Sequence, residues 1–351
     1  MRDTRKAPVE TGHAGSSTLE RRPTIRDVAR TAGVSYGTVS RYLNGGKNVG
    51  KASALAITDA IDRTGFRRNR HARSLATGRA MTVAFLLTEP QDRLFGDPNY
   101  PILLRALTGA LAERGYALVL MTAAADDERA RAVEFAAGGH VDAVILVSSH
   151  SGDPIIAELI AAGVPTISCG RPVGWESTIA SVSADDRGGA RAAVEHLVAQ
   201  GCRAIGVITG PLDLGGAVDR LSGYRDALEA AGIAFDSTLV AEGDWTLDSG
   251  RTAAARLARG DLDGLFVSND MMAAGAVAAL RAAGRRVPQD VRVVGFDDTG
   301  LAATCDPPLS SVRQPFAAIS REMARLLCDG AELRPGAVRL DTELVIRGSS
   351  A

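Results

Sequence analysis

The chain has 351 residues, of which 46% are apolar and 23% charged, enough for one large or two medium domains beside a small module. Its formal charge is −1, and no apolar stretch reaches the roughly 18 residues of a membrane span, so neither a disordered nor a spanning chain is expected. The near-zero sum conceals an asymmetry. From Arg21 to Arg79 there are 13 basic and three acidic residues, a net of +10, whereas Ala80 to Ala351 carries 24 basic against 35 acidic, a net of −11. A small basic end on a large acidic body points to a polyanionic partner for the small end. The four cysteines are far apart with no C-x-x-C pair, so neither a zinc site nor a disulfide framework is signalled. Met1 to Glu20 lacks the apolar core of a secretory signal, and a cytoplasmic place is expected.

Residues 1–22 are polar and without periodicity and read as a solvated tail. Thr24, followed three residues later by Asp27, resembles a capping box, and Ile25, Val28, Ala29 and Ala32 fall at helical spacing. Gly33 stops this helix, and Ser35 caps a second one running to about Leu43. Two helices joined by a tight glycine turn form the pattern of a helix-turn-helix, whose second helix reads bases in the DNA major groove. Val39 and Leu43 are expected to face inward, leaving Tyr36, Gly37, Ser40, Arg41 and Asn44 toward DNA. Arg41 is suited to a bidentate pair with guanine and Tyr36 to a base edge. A third helix is expected from about Ser53 to Thr64, with Leu55, Ile57, Ala60 and Ile61 completing a three-helix core and Gly65 capping it. An ordinary helical hairpin is the plain alternative; the +10 charge favours DNA.

Two enzyme-like motifs lie in this segment. Gly33-Val34-Ser35-Tyr36-Gly37 matches G-x-S-x-G, yet a helix rather than a strand precedes the serine. Gly45 to Lys51 matches G-x-x-x-x-G-K, but Ala52 stands where a phosphate loop needs Ser or Thr. Neither supports catalysis.

From Met81 onward, apolar runs at Val83 to Leu87, Leu118 to Met121, Val141 to Val147 and Thr166 to Cys169 alternate with helical stretches near 101–114, 127–137 and 154–162. The rhythm restarts with helices near 187–200 and 219–231 around a strand at Ala204 to Ile208, then strands at Gly264 to Val267 and Val291 to Gly295. This is βαβ order, hence two doubly wound parallel-sheet halves with a ligand cleft between them. No G-x-G-x-x-G occurs and the five histidines lack metal-ligand spacing, so no cofactor or metal is expected. The glycine-rich stretch Gly210 to Gly216 lacks the Lys of a phosphate loop and reads as a plain turn.

Thr24-Ile25-Arg26-Asp27-Val28-Ala29, Ala32-Gly33-Val34-Ser35, Thr38-Val39-Ser40-Arg41-Tyr42-Leu43-Asn44 and Asn69-Arg70-His71-Ala72-Arg73-Ser74-Leu75 together resemble the LacI/GalR family of bacterial repressors. So do Asp185-Asp186-Arg187-Gly188-Gly189-Ala190, Arg220-Leu221-Ser222-Gly223-Tyr224, Gly243-Asp244-Trp245, Ser268-Asn269-Asp270 with Gly275, and Val294-Gly295-Phe296-Asp297-Asp298. The resemblance covers about nine tenths of the chain. It implies a three-helix DNA-binding domain, a hinge helix and a periplasmic-binding-protein-like core. The expected organisation is a tail over 1–22, a DNA-binding domain over 23–66, a hinge over 67–79 and a core over 80–351. The core divides into a first subdomain of about 80–182 and 313–330 and a second of about 183–312 and 331–351.

The DNA contacts implied by the resemblance fall on Thr24, Ser35, Tyr36, Gly37, Thr38, Ser40, Arg41, Asn44, Asn69, Arg73 and Leu75, with Leu75 wedging the minor groove in a dimer. Arg68 in place of a usual proline, Gly50 and Lys51 in place of Ser-Pro, and Ala54 in place of Arg depart from the family pattern around the third helix. Gly37 stands at a specificity position without a side chain to read a base.

The implied effector site is Arg220, Trp245, Asn269 and Asp297, with Gln314 and Phe316 near the crossover and Ser148, Gly170 and Arg171 at strand ends. Arg and Asp pair with vicinal hydroxyls and an indole packs on a pyranose, which suits a carbohydrate. Arg171 replaces an acidic acceptor, and Phe95 and Tyr100 are further candidates for the cleft wall. For Arg220 with Asp297 a structural ion pair is the alternative, and for Trp245 a core role. The expected protein is a homodimeric repressor on a pseudo-palindromic operator, switched by a small ligand. An α/β enzyme with a helical module, a sugar transport protein, and the same regulator with a purine or no effector stay open.

Overall fold

A computed structural model of the chain describes residues 23–43, 49–66, 79–329 and 333–351. The tail over 1–22, the hinge over 67–78, and Asn44, Asn69, Arg73 and Leu75 lie outside the described residues. Two compact units result, each with its own core.

The first holds α1 (Ile25–Ala32), α2 (Tyr36–Leu43) and α3 (Lys51–Thr64). The Thr24 amide and hydroxyl both donate to the Asp27 carboxylate, at 2.9 and 2.7 Å, so the expected box forms with Asp in the role of Glu. Gly33 ends α1 at φ 65°, a left-handed turn open to glycine. The Thr38 amide then donates to Ser35 Oγ at 3.1 Å, capping α2. Val28, Ala29, Val39, Ile57 and Ala60 form the buried centre, with Leu43, Ile61 and Phe66 packed around it. Leu55 is not part of this core: it is 73% exposed. Two residues before Ile57 is about 160° round a helix from it, so the two side chains cannot share a face. α3 also begins two residues before the expected Ser53.

In the second unit the first lobe is a parallel sheet in the order β11-β5-β4-β3-β1-β2. Its strands are β1 (Thr82–Leu87), β2 (Ala117–Thr122), β3 (Ala143–Val147), β4 (Thr166–Cys169), β5 (Ala180–Ala184) and β11 (Gly336–Leu340). The central β3 is buried along its whole length because helices cover both faces of the sheet. One face carries α4 (Gln91–Gly96), α5 (Asn99–Ala112) and α13 (Phe316–Cys328), packed through Leu103, Leu107, Leu111, Ile319 and Met323. The other carries α6 (Asp126–Phe135) and α7 (Ile155–Ala161) through Ala132, Ile155, Ile156 and Leu159.

The second lobe is ordered β12-β10-β9-β8-β6-β7, with only the edge pair β12–β10 antiparallel. It contains β6 (Ile205–Thr209), β7 (Val240–Glu242), β8 (Gly264–Val267), β9 (Arg292–Asp297), β10 (Ser310–Arg313) and β12 (Glu343–Val345). Its helices are α8 (Asp186–Ala199) and α9 (Gly215–Ala230) on one face, and α10 (Leu247–Leu257) and α11 (Asp270–Ala282) on the other, with the short α12 (Gly300–Thr304) after β9. Ile208, Leu265, Val267 and Val293 pack under the second pair, and Phe266, Phe296 and Tyr224 lie with the first.

The division of the C-terminal segment differs from expectation. Residues 336–340 were assigned to the second subdomain with the rest of 331–351, but β11 pairs in parallel with β5, from Gly336 opposite Ala180 to Leu340 opposite Ala184. The chain therefore passes between lobes after β5, after β10 and again between β11 and β12. A lone five-residue strand at a sheet edge carries no periodicity that tells which of two similar sheets it joins. Among the described residues, no helix is long and apolar enough to cross a membrane.

Candidate functional site

The carboxyl ends of both sheets face one cavity of about 180 Å³. That is where open parallel sheets present their loops. Eight of the expected effector residues line it: Ser148, Arg171, Arg220, Trp245, Asn269, Asp297, Gln314 and Phe316. Gly170 and Tyr100 line it as well, whereas Phe95 does not and is 82% exposed, because α4 turns it away from the cleft toward solvent.

Arg220 is the centre of the polar floor. It projects from α9, one face of its guanidinium 3.7 Å from the Phe296 ring centroid and 5.6 Å from that of Trp245. Nε donates to Asp186 Oδ1 at 2.8 Å, Nη1 donates to the Ser268 carbonyl at 2.5 Å, and Asp297 Oδ1 lies 3.7 Å away. The structural-pair alternative is thus partly right, but the close partner is Asp186, and Asp297 is held mainly by others. Asn99 Nδ2 and Gln314 Nε2 each donate to it at 2.6 Å. Burial pushes the carboxyls of Asp97, Asp186 and Asp297 up from their ordinary range, against the pull of Arg220. Two or three hydroxyls entering such a site would find acceptors already stripped of water.

The apolar wall is Trp245 with Phe316. Trp245 is fixed from two sides. Asn269 caps α11 by accepting from the Met272 amide at 2.8 Å, and its Nδ2 donates to the Trp245 carbonyl at 3.0 Å. The indole also lies directly on Gly210, where an added Cβ would come within 2.0 Å of Cζ2. Only glycine leaves this space, which gives the apparently plain turn at Gly210 a packing role. Asn269 thus orients Trp245 while spending two of its four possible side-chain hydrogen bonds within the protein.

Ser148, Trp245 and Asp297 adopt φ values of 60°, 71° and 102°. Such backbone costs of order 1–3 kcal/mol per residue and concentrates where ligands bind. The Ser148 hydroxyl shares a 2.9 Å hydrogen bond with Tyr100 Oη, whose phenol is pushed up to about 12 by burial and stays protonated as a donor.

Arg171 lines the cavity and also bridges the two lobes. Its Nε donates to Asp219 at 2.9 Å across the cleft and its Nη1 to Glu176 at 2.9 Å. Through the bond to Asp219 it straps the lobes together at the cavity wall. Gly215 makes this approach feasible, since a Cβ there would fall 2.3 Å from the Arg171 carbonyl oxygen.

Residue spacing did not identify Asp186, Asn99, Asp97 or Arg93, all of which line the cavity. Asp186 belongs to the Asp185-to-Ala190 run that carries the family resemblance, and that run was the available signal. Asn99 lines the cavity, and its Oδ1 is buried without a hydrogen-bond partner.

In the helix-turn-helix unit, Ser35, Tyr36, Gly37 and Arg41 are exposed on one side of α2, with Thr38 and Ser40 partly covered. Ser35 and Thr38 share a hydroxyl hydrogen bond at 2.9 Å as the cap, and Thr24 serves the cap of α1, so these three have structural uses independent of DNA. Arg41 is exposed, and its Nε donates to the Gly37 carbonyl at 3.3 Å.

A helix-turn-helix unit followed by a two-lobed binding core defines a ligand-responsive transcription regulator. Residues 24–69 match the model of bacterial regulatory proteins of the lacI family, and residues 194–350 match that of the periplasmic binding protein-like domain. The chain is 44% identical over 335 residues to the transcriptional regulator CelR of Thermobifida fusca, covering 94% of this chain and 98% of that protein. It is 32% identical to the ribose operon repressor of Halalkalibacterium halodurans, covering 92% and 96%. Among solved structures it resembles a CelR–cellobiose complex, at 42% identity and a TM-score of 0.75, covering 93% of this chain and all of that one. It also resembles the lac repressor dimer bound to operator and an anti-inducer, at 28% identity and a TM-score of 0.83, covering 94% and 99%.

The chain belongs to the LacI family of bacterial regulatory proteins. It is a sequence-specific DNA-binding transcriptional regulator and not an enzyme. For Arg41→Ala we expect operator affinity to fall by about 1–3 kcal/mol, with discrimination relaxed at one base pair. Fluorescence anisotropy against a selected operator and its single-base variants checks this.

Proposed function

We propose that the protein is a repressor that binds a pseudo-palindromic operator as a homodimer and is switched by a small carbohydrate in the cleft, with cellobiose the first candidate. The observation that carries this reading is the cavity lining. Buried carboxyls at Asp97, Asp186 and Asp297 line the cavity with Arg220, beside the strained Trp245 and Asn99. This pairs hydroxyl acceptors and donors with an aromatic face, the two surfaces of a pyranose. The relative in complex with cellobiose supports the candidate sugar, and the operator-bound lac repressor dimer supports the assembly. Two helix-turn-helix units related by a two-fold axis read matching half-sites, so dimerisation follows from the logic of the operator. The effector acts through its preference for one cleft state over the other. Such a regulator works where the chromosome is, in the bacterial cytoplasm at the nucleoid.

The test is an operator selected from random duplexes, followed by titration of the complex with cellobiose and with glucose, ribose and a purine nucleoside as comparators. Cellobiose should change operator affinity and perturb Trp245 emission. A response to the nucleoside alone would replace the sugar. An enriched site without inverted symmetry would remove the dimer.

A further inference from the structure

We propose that His150 is a protonation-dependent clasp at the mouth of the cleft, bridging Glu89 on its own lobe to Asp213 on the other and so setting how firmly the core closes. His150 follows β3 and Glu89 follows β1 in the first lobe, whereas Asp213 follows β6 in the second. The ring's Nδ1 lies 2.8 Å from Asp213 Oδ2 and its Nε2 3.2 Å from Glu89 Oε1. A neutral imidazole donates from one nitrogen only, so two carboxylate contacts of this kind belong to the imidazolium. The backbone closes at the same place: the Ser151 amide donates to the Asp213 carbonyl at 2.8 Å, and His150 forms an antiparallel bridge with Leu214.

The charged groups around the ring are accounted for. On α4, Arg93 lies 4.0 Å from Glu89 and 3.7 Å from Asp97, and it donates across the cleft to the Asp244 carbonyl at 2.7 Å. Glu89 is thus shared by His150 and Arg93, which both reach the opposite lobe. Asp153 spends its carboxylate on the Ile155 amide at 2.9 Å, and Arg171 is held by Asp219 and Glu176. The hydrogen bonds the ring donates to Glu89 and Asp213 outweigh burial and lift the imidazole to about 9.

Opening the cleft removes Asp213 from the ring but leaves Glu89 beside it. The closed form therefore has the higher histidine pKa. Its advantage is complete below the open-form value and is lost as pH rises through about 9. Each unit between the two values is a tenfold change in the closing equilibrium.

The ligand-free protein gives the first readout. Proton NMR of the histidine ring, with His150 assigned by its loss in His150→Gln, should show a midpoint well above the usual 6.5. Asp213→Asn should lower that midpoint by about one unit. An unchanged midpoint in Asp213→Asn overturns the clasp. The second readout rests on the carbohydrate reading above: cellobiose affinity by calorimetry at pH 6.5 and 9.5. The ratio of parent to His150→Gln affinity should fall about tenfold across that interval, since glutamine keeps a hydrogen bond but carries no titrating charge. Parallel pH profiles would overturn the proposal as well. If cellobiose gives no heat at either pH, the effector reading fails and the NMR midpoints alone decide the clasp.

Discussion

Asp297→Ala is expected to abolish the effector response while leaving operator affinity within about twofold of the parent, because the helix-turn-helix unit has its own core. The carboxylate accepts from Asn99 and Gln314 and faces Arg220, so its loss strips an acceptor from the site and frees two buried amide donors. Losing one buried hydrogen-bond partner costs about 1–3 kcal/mol, which is roughly 5- to 150-fold in effector affinity. One complication has a built-in control. At φ 102° an alanine is strained, whereas glycine is not. Asp297→Gly removes the carboxylate without adding strain. Calorimetry with cellobiose and anisotropy on the operator should find the same phenotype in both variants. A glycine variant that still responds would assign the alanine effect to backbone distortion.

Arg220→Met should have the largest effect on stability. The parent buries Asp186 at 2.8 Å and Asp297 at 3.7 Å from the same guanidinium. Methionine fills similar volume but leaves two carboxyls without their cation, and breaking a buried pair in this way costs about 3–5 kcal/mol. The pH dependence follows from the direction of the shifts. Both carboxyls are already raised in the folded state by burial, so the fold retains protons that the unfolded chain gives up above about 4. Their contribution is therefore present at low pH and is lost as pH rises through the raised values. Without Arg220 the carboxyls climb further, and the loss deepens. Urea midpoints at pH 5 and pH 8 should fall more steeply for Arg220→Met than for the parent. Adding Asp186→Asn should restore part of the deficit at pH 8. A variant whose midpoint is insensitive to pH would show that Asp186 and Asp297 stay ionised without the arginine.

Much of this molecule is legible before folding is considered. The capping box at Thr24 and Asp27, the glycine turn and the Ser35 cap are local, each decided within a few residues by hydrogen bonds the backbone needs. The βαβ rhythm follows from buried strands alternating with amphipathic helices, and it forces loops at the carboxyl ends of both sheets. Leu55 shows the limit of such reading, since an apolar residue in a short helix counts as core only if its angle matches that of its neighbours.

The amino-acid sequence determined the two-part chain and the exposed face of α2 with Arg41, and the resemblance it carries pointed to part of the cleft lining, from which Asp186, Asn99, Asp97 and Arg93 were missing. Tertiary structure alone decided how those residues divide the work. Arg171 and His150 close the cleft, Asn269 positions Trp245, Asp186 takes the near side of Arg220, and 336–340 returns to the first sheet. The physical reason is range. Caps, turns and periodicity are set by neighbours in the chain, whereas Arg171 meets Asp219 and His150 meets Asp213 only after two lobes, far apart in sequence, come within hydrogen-bond distance.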